Sequence, residues 1–114
     1  VDLLVARYVA RQADARRRAE HLRGLVPAMG RALSARGASR VVLFGSLARG
    51  DEPHGETDVD LAVWGLSLGE LCDAAGELSE LAGARVDLVP AEWMSERLAA
   101  AVAREGVGVL DVAG

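Results

Sequence analysis

Between residues 2 and 36 the apolar side chains fall at Leu4, Tyr8, Ala15, Ala19, Leu22, Val26, Met29 and Leu33, three or four positions apart except at Gln12. That period is the signature of an amphipathic helix. Gly24 and Pro27 interrupt it, and because proline lacks an amide donor and crowds the preceding turn, the pattern predicts two helices or a marked kink near residues 24 to 27. Gly37 is a suitable C-terminal stop. The apolar run Val41 to Phe44 then suits a strand buried on both faces, and residues 58 to 64 read as a second strand. A helix is expected from Ser67 to Leu81 with Leu68, Leu71, Leu78 and Leu81 on one side, ended by Gly83. A third strand, Arg85 to Val89, closes at Pro90. Residues 91 to 105 read as helix, with Trp93, Leu98, Ala101 and Val102 apolar, and residues 107 to 112 as a last strand.

Strands alternating with helices predict an α/β (α+β) layer fold: one small mixed sheet of about four strands flanked by helices. The chain has 114 residues, the size of a single domain with one core. The reading is therefore one domain over 1–114, with a helical N-terminal segment at 1–36 and a sheet-and-helix unit at 40–112. No internal repeat or linker is visible.

Charge and composition exclude several chemistries. All 13 basic residues are arginine, so lysine nucleophiles and Schiff bases are ruled out, and so is a P-loop, whose lysine reaches the phosphates. Seventeen acids bring the net charge to −4, which argues against direct DNA binding by phosphate neutralisation. Cys72 is the only cysteine, excluding an internal disulfide and a cysteine zinc site. No window holds the roughly 18 uninterrupted apolar residues of a membrane span. The chain begins at Val1 without a signal peptide pattern, and a cytoplasmic protein is expected.

The candidate chemistry lies in VVLFGSLARGDEPHGETDVDLAVW, residues 41 to 64. Alternation along a strand sends Asp58 and Asp60 to one face and Val59, Leu61 and Val63 to the other. Two adjacent carboxylates repel, so the arrangement makes sense at an open sheet end or around a hard cation with oxygen ligands, of which magnesium is the natural candidate. Magnesium prefers a few carboxylates together with water and substrate phosphates, and a nucleoside triphosphate would complete such a site. The turn Gly45 to Gly50 faces that need. Gly45 permits close backbone approach, Ser46 offers a hydroxyl and an amide, and Arg49 carries a planar fork for phosphate. Thr57 returns the chain to the carboxylates. If the third strand lies beside the second, Asp87 completes an acidic trio, as a metal ligand or as the base that accepts a proton from an attacking hydroxyl.

Gly45-Ser46, Arg49-Gly50, Asp58-Val59-Asp60-Leu61 and then Asp87 resemble the DNA polymerase β-like nucleotidyltransferase superfamily. The short chain resembles its minimal nucleotidyltransferases, over roughly residues 25 to 112. The resemblance implies that Asp58, Asp60 and Asp87 bind Mg2+, that Asp87 also activates the acceptor hydroxyl, and that Gly45 and Ser46 hold the triphosphate. Thr57 stands where the family often has serine. It further implies an antitoxin that transfers AMP from ATP to a tyrosine of a HEPN-type toxin. The alternatives are a non-catalytic antitoxin that covers its partner, and nucleotidyl transfer to a small molecule such as an aminoglycoside. The latter would require a homo-oligomer to enclose both substrates.

Other residues have plainer readings. Cys72 reads as a small apolar packing residue, Trp64 and Trp93 as core or interface, and His21 and His54 as solvent-exposed. The arginines at 7, 11, 16, 17, 18 and 23 make a basic helical face, either solvated or docked on an acidic partner or RNA.

Overall fold

Four strands form one sheet in the order β3-β2-β1-β4 in a computed structural model that describes residues 2–50 and 59–112. The strands are β1 (Arg40–Phe44), β2 (Val59–Trp64), β3 (Val86–Pro90) and β4 (Val107–Asp111). β1 runs antiparallel to both neighbours, while β2 and β3 are parallel. A parallel pair needs a crossover, and α3 (Leu68–Ala82) supplies it. The expected mixed four-stranded sheet is present.

The N-terminal pattern folds as one helix, α1 (Leu3–Ala35), with Pro27 inside it, and not as the two helices predicted. Gly24 and Pro27 both lie on the exposed side. Leu22, Val26, Met29 and Leu33 are buried on the other. A proline in a helix interior costs about 3 kcal/mol or more, whereas burying each large apolar side chain contributes roughly 1.5–3 kcal/mol. Packing across the interruption therefore outweighs the break. The helix ends as expected: Gly37 takes φ +112° and donates its amide to Ser34.

The two faces of the sheet are covered unequally. Val41, Leu43, Val59, Leu61, Val63 and Val86 pack against α1 and α3 in the main core. On the opposite face Val42 and Ala62 meet only Val102 among buried residues, flanked by Phe44, Trp64, Met94 and Leu98. That cover comes from α4 (Glu96–Glu105) and the turn before it. Arg36 fastens α1 to α3 by donating to Glu70 at 2.9 Å and Glu77 at 2.5 Å, and the Glu77 and Glu70 carboxylates raise its already high pKa.

Three local expectations are corrected. Residues 91 to 105 are not one helix: a single 3-10 turn, Ala91–Trp93, comes first, and α4 starts afresh where Ser95 Oγ accepts the Leu98 amide at 3.1 Å. Leu68 and Leu81 are 51% and 54% exposed, because only Leu71, Ala74, Leu78 and Ala82 of α3 face the sheet, and Trp93, 64% exposed in the 3-10 turn, is not a core residue. Cys72 is exposed, not packed. Trp64 is half-buried at the end of β2, with the Arg40 guanidinium 4.6 Å from its ring centre.

Candidate active site

The thinly covered face carries the candidate acids. Phe44 and Asp60 are opposite each other in the β1–β2 ladder, so Asp60 shares a face with Phe44, Val42 and Ala62. In the parallel β2–β3 ladder Asp60 is the register partner of Asp87. The sheet therefore sets these two residues side by side on neighbouring strands, whose backbones lie about 4.8 Å apart in any sheet. Asp58 and Thr57 lie outside the described residues; His54 does too. Among the described residues no group of three His, Cys, Asp or Glu side chains stands ready to hold a metal.

Gly45 follows directly on β1, with φ +76°. A Cβ built there would come within 2.5 Å of Asp60 Oδ2. Glycine thus serves two needs: a left-handed backbone, and room for a carboxylate pressed against the turn. Gly45–Arg49 forms the short helix α2, capped by Gly50 at φ +70°. Ser46 is half-buried in its first turn, and Leu47 anchors it in the core.

Arg49 sits at the end of α2, and its Nη1 donates to Glu105 Oε2 of α4 at 3.2 Å. The Arg49 side chain remains 42% exposed. Asp87 pairs with Arg85 at 3.4 Å in an exposed setting, which damps the interaction and leaves the carboxylate accessible. Two contributors are not visible in the linear pattern. Glu105 meets Arg49 across 56 residues, and Arg23 of α1 donates to the Leu47 carbonyl at 3.2 Å, tying the turn to the long helix. Neither has a sequence signal, because each depends on tertiary placement alone.

Two carboxylates aligned on adjacent strands, facing a glycine turn with an arginine at its far end, form a donor set suited to a hard cation and a phosphate chain. Residues 34–112 match the family model described as Polymerase beta, Nucleotidyltransferase, and the chain belongs to that family. A solved structure described as a putative minimal nucleotidyltransferase is similar at 35% identity and TM-score 0.68, over 78% of this chain and 93% of that one. A toxin-antitoxin crystal structure with AMP-PNP matches at 26% identity and TM-score 0.62, over 69% of this chain and 67% of that chain. The complex of a tri-AMPylated HEPN toxin of Shewanella oneidensis with an MNT antitoxin shares the fold, at 21% identity and TM-score 0.58, over 82% of this chain and 72% of that one. The chain spans about two thirds of the length of several toxin-antitoxin chains it matches. No curated protein sequence matches it significantly. Among the described residues no helix is long and apolar enough to cross a membrane.

Proposed function

We propose that the protein transfers AMP from ATP to a hydroxyl of a partner protein, a tyrosine of a HEPN-type toxin, and acts as that toxin's antitoxin in the cytoplasm. The observation that carries the reading is the register pairing of Asp60 with Asp87 on the face against which Gly45 closes. The similarity to a toxin-antitoxin chain in a structure containing AMP-PNP supports the choice of nucleotide and partner.

Asp60 and Asp87, with Asp58, would hold Mg2+, which when bound offsets charge on the triphosphate and draws the reacting oxygens together. Gly45 and Ser46 would present the turn to the β- and γ-phosphates, with Thr57 as a further hydroxyl and Arg49 turning its fork from Glu105 toward them. The acceptor oxygen attacks the α-phosphorus in line. The bond from that phosphorus to the bridging oxygen breaks, pyrophosphate leaves, and the acceptor proton passes to Asp87. The added adenylate places a bulky anion on the toxin, which disfavours its contact with RNA.

The test is incubation of the chain, the toxin, ATP and magnesium, followed by mass spectrometry of the toxin. Addition of AMP to a tyrosine, lost in Asp60→Asn while the complex still forms, is the expected result. Neutralisation that persists in Asp60→Asn without any added nucleotide would assign the protein to the covering, non-catalytic class.

A further inference from the structure

β3 is an edge of the sheet, and it is also the strand that carries Asp87. Its inner side is spent on β2. The Val59 amide donates to the Arg85 carbonyl at 3.1 Å, which puts Arg85, and by the two-residue period Asp87 and Val89, into the ladder. The backbone groups of Val86, Leu88 and Pro90 therefore turn to the open side. There the Val86 amide is already satisfied by Ser79 Oγ at 3.1 Å, and Pro90 has no amide to give. Within β3, Leu88 is left as the residue that offers both an amide and a carbonyl to an incoming chain, flanked by the carbonyls of Val86 and Pro90. An edge with such groups is a template for an added strand. Beside it runs a groove of about 380 Å³, between Leu68, Leu71, Cys72 and Ala75 of α3 and the pair Pro90 and Trp93. Its lining carries no charge, and Leu68 and Trp93 stand largely open in it. Asp87 and Leu88 point to opposite faces, Asp87 with Asp60 and Leu88 toward α3 and the groove.

The geometry points to β3 as the docking edge for the acceptor, an inference that rests on the transfer reading above. An extended segment of the partner protein adds to β3 through the amide and carbonyl of Leu88, with the accepting tyrosine opposite Asp87 and an apolar flanking side chain in the groove. Three features choose this occupant. The open edge recognises backbone amides and carbonyls, so what adds to it is extended polypeptide. The strand carries the acid to which the transfer reading gives the acceptor proton, and an aromatic side chain directly opposite or diagonal to it on an added strand is within its reach. The next residue of that strand points the other way, where the uncharged groove covers it. A second copy fits the edge poorly. Its own Val86 amide is taken and its Pro90 has none, so it could not donate to the Val86 and Pro90 carbonyls that an ordinary segment meets.

The experiment takes the full chain and the protein that acquires AMP in the transfer assay. Amide exchange followed by NMR should show Leu88 slowed in their complex, with Val86, already bonded to Ser79, nearly unchanged. Cys72 is the only cysteine of the chain, and it is exposed in the groove, so N-ethylmaleimide fills the groove selectively. The adduct should raise KM for the acceptor protein by roughly tenfold or more, while the thermal shift given by ATP and magnesium stays that of the untreated chain, a loss of acceptor binding alone. On Cys72→Ser the same reagent should move neither quantity. An acceptor KM indifferent to the adduct, or a Leu88 amide that exchanges as fast in the complex as in the free chain, would overturn the docking edge and leave the transfer reading standing. Leu88 protection that appears in the chain alone and rises with its concentration would give the edge to a second copy and overturn the proposal. Transfer of AMP to no protein at all would overturn both.

Discussion

Asp60 Oδ2 lies where a side chain on Gly45 would have to begin: a Cβ there would sit 2.5 Å from it. The turn and the carboxylate are therefore one packed unit. Gly45→Ala must move the acid or the turn, and it also meets the penalty of φ +76°. Strained backbone of this kind costs of order 1–3 kcal/mol. The expected outcome is a lower melting temperature together with loss of ATP binding by calorimetry. Gly50→Ala, at φ +70° but with nothing within 4 Å of the added Cβ, should lose stability with much less effect on binding.

Asp60→Asn and Asp87→Asn keep the shape of the site and remove its charge. Adenylate transfer should fall by on the order of 10²–10⁴-fold in each, the range of a lost acid–base group. The folded structure should persist by circular dichroism. For the parent chain, ATP with magnesium at about 100 times the dissociation constant should raise stability by about 2.7 kcal/mol, and both variants should lose most of that thermal shift.

Arg49→Lys keeps a positive charge but not the planar fork. If the fork turns from Glu105 to phosphate, the substitution should raise KM for ATP by roughly tenfold with little change in kcat, the difference between bidentate and point-charge recognition. Steady-state kinetics separates the two parameters. Glu105→Gln, which weakens the competing contact at 3.2 Å, should lower KM modestly.

Two core substitutions test the packing of the sheet. Leu61 is fully buried in β2, and Leu61→Ala should cost roughly 2–5 kcal/mol in urea unfolding. Gly30 lets α1 approach β4, since a Cβ would come within 2.5 Å of Val109 Cγ1. Gly30→Val should therefore destabilise by roughly 1–3 kcal/mol through overpacking, although valine is the better helix former of the two.

The strands, the helix periods and the acids were legible because each rests on local alternation. Asp60 and Asp87 declared themselves as polar interruptions of apolar runs, and the ladder brings them into register. Asp58 and Thr57 lie outside the described residues, so their places in the site stand as proposals. Pro27 misled because a local rule cannot weigh four buried side chains against one missing hydrogen bond. Leu68 and Leu81 misled for the opposite reason: apolar character does not say which side of a helix the sheet will cover. Glu105 and Arg23 were invisible, since their partners lie across the chain.

Residues 60 and 87 meet only because β2, α3 and β3 form a single crossover unit. A chain still emerging from the ribosome with residue 87 inside the exit tunnel has the Gly45 turn but only one member of the register-paired acids. On the proposed reading, the pair of acids is thus completed only when the edge strand β3 closes. Divalent-cation affinity followed during refolding would time that closure.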